Sequence, residues 1–406
     1  MTPTATGGPP RVLRTDLDAR PGLSEVSPER LAEWLAERGE PAYRARQVSD
    51  ALWHGAAADV TDVVTLPGPL RLEMAGEFRW DTIVETEIHR SADGLTDKAV
   101  HRLCDGAVIE SVLMRYPARD ASRERHTLCI SSQAGCAVGC PFCATGELGF
   151  ARDLETTEIL DQVRAAARRL AGEGRHLTNV VFMGMGEPLL NLDRVLAAIA
   201  ALNDPARFGL GARHITVSTS GVVPGIERLT EMGPQFTLAV SLHAARDSLR
   251  DVLVPLNRRW PVAEVVAAAR AHARATGRRV TYEVTLIGGV NDTVRDADAL
   301  AELLRDDHAH VNLIPMNPVA HTPWAASRPA VVDGFAARLT AAGLTATVRS
   351  NRGVEIGAAC GQLAAERAGA PPANAVARRR ALLVAASAAA LRDERSADPA
   401  PPGTGG

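Results

Sequence analysis

Short apolar runs alternate with stretches of helical periodicity through most of the chain after residue 120. The apolar runs predict six strands, at 127–131, 179–183, 214–218, 237–242, 280–286 and 310–314. Helices are predicted at 156–170, 192–202, 225–231, 262–276, 294–304 and 332–342. This alternation indicates the α/β class, with a parallel sheet and helical crossovers. Because a full eight-unit barrel needs about 250 residues, six units predict an open, partial (β/α)6 barrel of the TIM type.

The chain before this barrel divides into two smaller units. Ser27 and Pro28 are a typical N-cap and first helical residue, and apolar residues at helical spacing follow them until Gly39. Three such short helices predict an accessory domain, for which we expect a role in recruiting the substrate. Turn signals at 92–94 and 105–106 separate apolar segments and predict antiparallel hairpins. The predicted units are a disordered tail (1–24), the helical domain (25–79), the β-hairpin extension (80–121), the core barrel (122–365) and a mostly disordered tail with some helix (366–406).

Composition and charge exclude several classes of protein. Hydrophobic residues make up 46% and charged residues 23%, as in ordinary soluble proteins. No apolar stretch approaches the roughly 18 residues of a membrane span, and no secretory signal is recognisable, so we expect a cytoplasmic protein. A net charge of −3 excludes a wholly basic nucleic-acid binder but says nothing about local patches. Lys98 is the only lysine, and we interpret this bias toward arginine as a mark of GC-rich coding.

Three of the six cysteines form a cluster typical of a metal site. Cys136, Cys140 and Cys143 have C-x3-C-x2-C spacing directly after the first barrel strand. Thiols of a cytosolic protein stay reduced, which favours metal binding or catalysis over structural disulfides. Three thiolates are one short of a closed zinc site, whereas on a four-iron cluster they leave one iron open for chemistry. Further polar residues follow the strands at 184–187, 218–220, 241–243 and 316–317, at the rim where parallel barrels collect their catalytic groups.

The cysteine triplet, the partial barrel and the Gly-Met-Gly-Glu-Pro element at 184–188 resemble the radical S-adenosylmethionine (SAM) superfamily. This resemblance implies a [4Fe–4S] cluster held by Cys136, Cys140 and Cys143. Its open iron would be chelated by the amino and carboxylate groups of SAM. One electron from the cluster would cleave the sulfonium and give a deoxyadenosyl radical. The cofactor contacts that the resemblance implies are Gly186, Glu187, Ser218, Ser241, Leu242, His243 and Asn317.

Four further motifs narrow the resemblance to the RlmN/Cfr family of adenine methyltransferases, over roughly residues 30–365. They are Ile109-Glu110-Ser111, the segments 127–132 and 215–224, and the segment 357–363 after a last predicted strand at 344–349. The resemblance implies that Cys360 carries the methyl group, with two SAM molecules used per turnover. It also implies that Cys129 resolves the RNA adduct through a transient disulfide and that Glu110 accepts a proton. Cys104 matches no motif and is expected to be structural.

The family resemblance also implies substrates and partners. Methylation is expected at carbon 2 of an adenosine in the peptidyl-transferase centre of 23S rRNA, and of the adenosine 3′ to the anticodon in tRNAs. Such a base must be unstacked before a ring carbon can react. A low-potential electron donor such as flavodoxin or ferredoxin, no membrane and a monomeric state are also expected. Candidate phosphate contacts, each more often a solvated side chain, are Arg44, Arg46, Arg119, Arg123, Arg125, Arg207 and Arg213.

Two alternatives stay open on the sequence. Methylation at carbon 8 of the same adenine, as in the Cfr enzymes, would use the same cysteines. We favour carbon 2 because the housekeeping reaction is the more widespread one. A non-catalytic RNA-binding module with a metal cluster is a second alternative, but it leaves Cys129 and Cys360 unexplained.

Overall fold

One ten-stranded sheet dominates the part of the chain that the structure, a computed structural model, describes. The described residues are 18, 20–55, 57–118, 123–305, 307–320, 322–363 and 381–390. The strands are β1 (Ile83–Arg90), β2 (Thr96–Leu103), β3 (Val108–Tyr116), β4 (Arg125–Cys129), β5 (Gln133–Gly135), β6 (Phe150–Asp153), β7 (Asn179–Phe182), β8 (Ile215–Thr219), β9 (Thr237–Ser241), β10 (Val280–Leu286), β11 (Ala309–Pro315) and β12 (Thr345–Val348).

Helices precede the sheet in the chain and then connect its strands. The first begins as predicted, because the Ser27 hydroxyl accepts a hydrogen bond from the Arg30 N–H at 3.2 Å and Pro28 follows the cap. No described helix is both long and apolar enough to cross a bilayer. The helices are α1 (Pro28–Ala36), α2 (Tyr43–Trp53), α3 (Gly68–Glu77), α4 (Ala144–Leu148), α5 (Thr156–Gly172), α6 (Leu192–Asn203), α7 (Val223–Met232), α8 (Asp247–Leu253), α9 (Val262–Thr276), α10 (Val294–Leu303) and α11 (Pro329–Ala341), and residues 381–390 are also helical.

The parallel part of the sheet confirms the predicted barrel units. Strands β4, β7, β8, β9, β10, β11 and β12 pair in this order, all parallel. Six crossovers containing α5, α6, α7, α9, α10 and α11 connect them. Within the described residues the sheet has two edges, β1 and β12, so the fold is α/β with a partial (β/α)6 barrel. Parallel strands direct their carboxyl ends to one rim, and the functional site lies there.

The predicted hairpins are present and extend the barrel sheet. β1, β2 and β3 pair antiparallel, with Gly94 and Gly106 at positive φ in the two turns. β3 also pairs antiparallel with β4, where Val112 lies opposite Cys129. Periodicity does not reveal which strands pair, so the sequence did not predict this continuity. It brings β3 next to the first barrel strand.

Four further elements escaped sequence prediction. β5 and β6 form a small antiparallel sheet around the segment 136–149, and α4 and α8 are short helices. These elements are too short to show a clear hydrophobic period. The close approach of β5 to the chain before β6 requires Gly135, because a Cβ there would lie 1.9 Å from the Gly149 carbonyl oxygen. Of the two predicted tails, residues 1–17, 19, 366–380 and 391–406 lie outside the described residues.

A buried ion pair joins the helical domain and the extension to the barrel. The side chains of Arg164 and Asp161 on α5 are fully buried, with 2.5 Å between Nη1 and Oδ1. Arg164 also donates to the backbone carbonyls of Leu52 and Trp80, at 3.1 and 2.7 Å. Asp161 accepts from the Thr82 N–H at 2.8 Å. The two charges are therefore stable only while three parts of the chain stay packed together.

Replacing Asp161 with asparagine should destabilise the whole protein. Removing one partner of a buried pair leaves the other charge uncompensated, which costs about 3–5 kcal/mol. Guanidinium unfolding followed by circular dichroism would measure the loss. Glu85→Gln is the control, because its pair with Arg102 is solvent-exposed and its loss should leave the unfolding midpoint unchanged. Equal effects of the two changes would contradict this account.

Candidate active site

The loop that carries Cys136, Cys140 and Cys143 lies between β5 and α4, and we call it the three-cysteine loop (residues 136–143). Its ends are fixed by backbone hydrogen bonds, from Cys136 N–H to the Gly149 carbonyl at 2.9 Å and from Cys143 N–H to the Cys140 carbonyl at 3.1 Å. All three thiols line one cavity, which we call the cofactor cavity. The cysteines are all free.

The donor set of this loop fits an iron–sulfur cluster. Burial raises the pKa of the Cys136 thiol to about 12 and raises that of Cys140 well above its ordinary value, so their thiolates need a neighbouring cation. In the described ranges, no three His, Cys, Asp or Glu side chains converge on the position of a single metal ion. A four-iron cluster takes one thiolate per iron and does not require such convergence. The loop therefore suits a cluster better than one zinc ion.

Most of the predicted cofactor contacts line the cofactor cavity at the carboxyl ends of the strands. Leu242 is the exception, because its side chain is fully buried in the core. Its backbone is fixed instead, since the Leu242 N–H donates to the Glu283 carbonyl at 3.0 Å. The residues that line the cavity as predicted are Gly186, Glu187, Ser218, Ser241, His243 and Asn317.

Gly186 and Glu187 form a tight turn against β5. Gly186 has φ of +101°, and a Cβ at this position would lie 2.7 Å from the Gln133 backbone nitrogen. The Glu187 carboxylate accepts hydrogen bonds from the N–H groups of Leu189 and Ser220, at 3.1 and 2.7 Å. Burial raises the pKa of Glu187, and these donors oppose the shift. The wall thus presents a buried carboxylate that suits a cationic amino group.

His243 is a neutral hydrogen-bond donor in the same wall. Among the described residues it is the one non-glycine at positive φ, 62°. Its Nδ1 accepts from the Thr285 N–H at 3.1 Å, and its ring lies 4.7 Å from that of Phe142. Burial lowers the pKa of His243 to about 3. Because Nδ1 is an acceptor in a neutral ring, the proton resides on Nε2.

The segment 353–363, which we call the Cys360 loop, is held by hydrogen bonds to α4, the helix that directly follows the three-cysteine loop. The Ala144 N–H donates to the Gly361 carbonyl at 2.7 Å, and the Thr145 hydroxyl donates to the Leu363 carbonyl at 2.7 Å. The Asn317 amide donates to the Cys360 carbonyl at 2.9 Å, while its Oδ1 is buried without a protein partner. That oxygen is available to a ligand in the cofactor cavity.

Cys129 and Cys360 line a second cavity, which we call the thiol cavity. Cys360 also lines the cofactor cavity, so it lies at the junction of the two. Burial raises the pKa of Cys129 to about 12. Cys360 is exposed at the loop surface, yet the protein around its thiol raises its pKa as well. The Arg349 guanidinium opposes both shifts.

Glu110 lines neither the cofactor cavity nor the thiol cavity. Its side chain is fully buried, and its Oε1 lies 3.8 Å from the ammonium of Lys98. The Ser131 hydroxyl donates to the Glu110 carbonyl at 2.6 Å, which fixes β3 beside the end of β4. Cys104 lines neither cavity, and its thiol donates to the Thr82 carbonyl at 3.3 Å.

Sequence reasoning missed three charged residues of the site. Arg349 follows β12 and lines both cavities. Glu283 of β10 lines the cofactor cavity and accepts a hydrogen bond from the Asn312 amide at 3.0 Å. Arg250 is buried and donates to the backbone carbonyls of Ser220 and Leu242. The position of Arg349 at the end of the predicted strand 344–349 was a usable signal, whereas Arg250 on the short helix α8 gave none.

The candidate phosphate contacts differ in how far their side chains are exposed. Arg207 is wrong as a candidate, because its side chain is buried and donates to the Val26 carbonyl. Arg44 is half-buried and donates to the Thr65 carbonyl at 2.7 Å. Arg119 lies outside the described residues. The exposed candidates are Arg46, Arg123, Arg125 and Arg213.

Comparisons with known proteins agree with this geometry. The family model of the radical SAM superfamily matches residues 130–304. The crystal structure of a radical SAM methyltransferase from Sphaerobacter thermophilus matches with a TM-score of 0.81 and 46% sequence identity, covering 85% of this chain and 99% of that one. The chain is thus a SAM-dependent radical methyltransferase, a class that uses a [4Fe–4S] cluster.

Curated relatives define the family within this class. The chain is 51% identical to the probable dual-specificity RNA methyltransferase RlmN of Frankia alni, over 90% of this chain and 88% of the relative. It is 49% identical to the protein of the same name from Thermobifida fusca, over 85% of this chain and 95% of the relative. The chain belongs to the RlmN family.

Gly186→Ala should weaken SAM binding. The added Cβ would collide with the Gln133 backbone, so the turn that presents Glu187 must shift. Equilibrium dialysis of labelled SAM against the anaerobically reconstituted protein would measure the affinity. Gly94→Ala is the control, because Gly94 also has positive φ but its Cβ would meet open space far from the cavity. Equal affinities of the two variants would contradict the assignment.

Proposed function

We propose that this chain methylates carbon 2 of an adenosine in 23S rRNA, at the peptidyl-transferase centre, and of the adenosine 3′ to the anticodon in tRNAs. One observation carries the proposal: Cys360 lines both the cofactor cavity and the thiol cavity, and Cys129 lines the thiol cavity with it. A methyl carrier must reach both a methyl donor and an acceptor base. The names of the curated relatives, dual-specificity RNA methyltransferases, support RNA as the acceptor.

The three-cysteine loop would hold the cluster, with one iron for each of Cys136, Cys140 and Cys143 and a fourth iron open to SAM. Cluster and SAM together would supply the one-electron chemistry that removes a hydrogen atom from a methyl group. Two SAM molecules would be used per turnover, and a donor such as flavodoxin or ferredoxin would provide the electron. The residues proposed to bind SAM are Gly186, Glu187, Ser218, Ser241, Leu242 (through its backbone), His243 and Asn317.

Cys360 and Cys129 would act in sequence on the methyl group. The Cys360 thiolate would take a methyl group from SAM by displacement. Once a hydrogen atom has been removed from this S-methyl group, its carbon would bond to carbon 2 of the adenine, and the adduct would return one electron. Glu110 would accept the proton that carbon 2 loses. The Cys129 thiolate would then attack the Cys360 sulfur, so that the sulfur–carbon bond breaks, the departing carbon takes up a proton to become the methyl group, and a disulfide forms. Arg349 supports this step because its guanidinium favours the thiolate of either cysteine.

The thiol cavity is suited to an unstacked adenine. The guanidinium carbons of Arg125 and Arg352 lie 4.3 and 4.5 Å from the centre of the Tyr116 ring. Tyr116 and Arg352 line the cavity. Aromatic rings and guanidinium planes are the surfaces on which proteins stack bases extruded from RNA. The helical domain at 25–79 would recruit the folded RNA, and the enzyme would act as a cytoplasmic monomer.

Expression of this chain in a strain that lacks the endogenous enzyme should restore 2-methyladenosine in 23S rRNA and tRNA. Mass spectrometry of nucleosides from purified RNA would measure it. The Cys360→Ala variant should cleave SAM in vitro yet yield no methylated RNA, because it lacks the methyl carrier. Appearance of 8-methyladenosine would instead establish the Cfr-like reaction. A chain that binds RNA without forming either nucleoside would be a non-catalytic module.

Cys129→Ala should trap the RNA covalently on Cys360. Without the resolving thiol the sulfur–carbon bond cannot break, so a protein–RNA adduct should accumulate on a denaturing gel. Cys104→Ala is the matched control, since its thiol lines neither cavity, and it should release product normally. Release of free methylated RNA by the Cys129 variant at the wild-type rate would refute the resolving role.

A further inference from the structure

Lys98 is the only lysine in the chain, and its side chain is 2% exposed. A lysine is almost never fully buried unless a partner compensates its charge. Its ammonium lies 3.8 Å from Oε1 of Glu110, which is itself fully buried. The proposed reaction assigns Glu110 a proton-transfer role but leaves the lysine without one.

The strand register places this pair on the face of the sheet that carries the resolving thiol. Lys98 lies opposite Val112 and Glu110 lies opposite Val100, so the two charged residues are diagonal neighbours on β2 and β3. Val112 also lies opposite Cys129 on β4. Side chains of paired residues point to the same side of a sheet. Lys98, Glu110 and Cys129 therefore share one face.

The Cys360 loop packs against the same face. A Cβ at Gly357 would lie 3.5 Å from the Lys98 ammonium nitrogen, and a Cβ at Gly353 would lie 3.0 Å from the Thr96 methyl group. Gly357 precedes Cys360 by three residues in the chain. The ammonium thus lies between the Glu110 carboxylate and the loop that carries the methyl carrier.

We propose that Lys98 is a positioning residue for proton transfer: its ammonium keeps the buried Glu110 carboxylate ionised and holds it beneath the Cys360 loop. A buried carboxyl group without a cation takes up a proton, and a protonated Glu110 cannot act as a base. The inference rests on the proposed function, because it gives Glu110 the role of proton acceptor.

An ion pair on the opposite face of the same strands provides the structural comparison. Arg115 of β3 and Asp97 of β2 are both buried, with 2.7 Å between Nη1 and Oδ2. Asp97 lies opposite Leu113, so its side chain points to the other face of the sheet from those of Glu110 and Cys129. Arg115→Met therefore removes a buried cation from the same hairpin without removing one from the active-site face.

The test measures adduct resolution in a single turnover, as the ratio of free methylated RNA to RNA bound to protein. This ratio does not depend on how much adduct each variant forms. Lys98→Met should slow release by about 10²-fold, the lower end of what a general base contributes. Glu110→Gln should slow release at least as much, and the double variant should be no slower than Glu110→Gln alone. Lys98→Arg should restore release, because it keeps the cation, and Arg115→Met should release RNA at the wild-type rate.

The outcomes separate this inference from the proposed function. Wild-type release by Lys98→Met together with stalled release by Glu110→Gln would overturn the role of Lys98 alone. Wild-type release by Glu110→Gln would overturn the acceptor role on which the inference depends. Stalling by Arg115→Met to the same extent as Lys98→Met would show that any lost buried cation has this effect, and the positioning role would be wrong.

A spectroscopic measurement needs no Lys98 variant and so does not depend on its folding. Biosynthetic labelling with lysine carrying ¹³C at Cε gives one protein signal, because the chain has a single lysine. The Glu110→Gln change should shift this signal, whereas Asp97→Asn on the opposite face should leave it in place. A signal unchanged by Glu110→Gln would contradict the pairing of the two groups.

Discussion

The hydrogen bonds that hold the Cys360 loop against α4 and Asn317 control the geometry of the whole site. Donors from Ala144 and Thr145 reach carbonyls on either side of Gln362, and Asn317 holds the carbonyl of Cys360 itself. These contacts place Cys360 at the junction of the two cavities. Ala144 and Thr145 belong to α4, whereas Asn317 follows β11, so Cys360 is positioned only when both parts of the rim are assembled. Rigid support of this kind is what a reaction between two separate ligands requires.

Buried charge is the second constraint, and it explains why the sheet continues beyond the barrel. The antiparallel pairing of β3 with β4 places Glu110 and Lys98 on the same face of the sheet as Cys129. Elsewhere in the site, Glu283 and Arg349 both line the cofactor cavity. Ionised groups are stable in such a place only with opposite charges or hydrogen bonds nearby. The hairpin extension thus carries the residue proposed as proton acceptor, in addition to covering the edge of the barrel.

Much of the fold could be predicted because its elements are long enough to show a period. The seven parallel strands, the crossover helices and the hairpins with turns at Gly94 and Gly106 all follow from apolar spacing and turn residues. β5, β6, α4 and α8 could not, since three to seven residues carry no clear period. Arg207 was an unsuitable candidate for RNA contact because composition does not reveal that a side chain is buried.

The sequence by itself determined the chemistry: the spacing of three cysteines, the glycine-rich turn before Glu187, and the motifs around Glu110, Cys129 and Cys360. Such features are local, because their spacing along the chain does not depend on how the rest of the chain folds. Only the tertiary structure decided which of them meet. The Leu242 side chain lies in the core and not in the cavity wall, Arg349 lines the thiol cavity together with the two thiols, and Lys98 pairs with Glu110. These relations depend on strand register and loop packing, which are set by contacts between residues far apart in the chain.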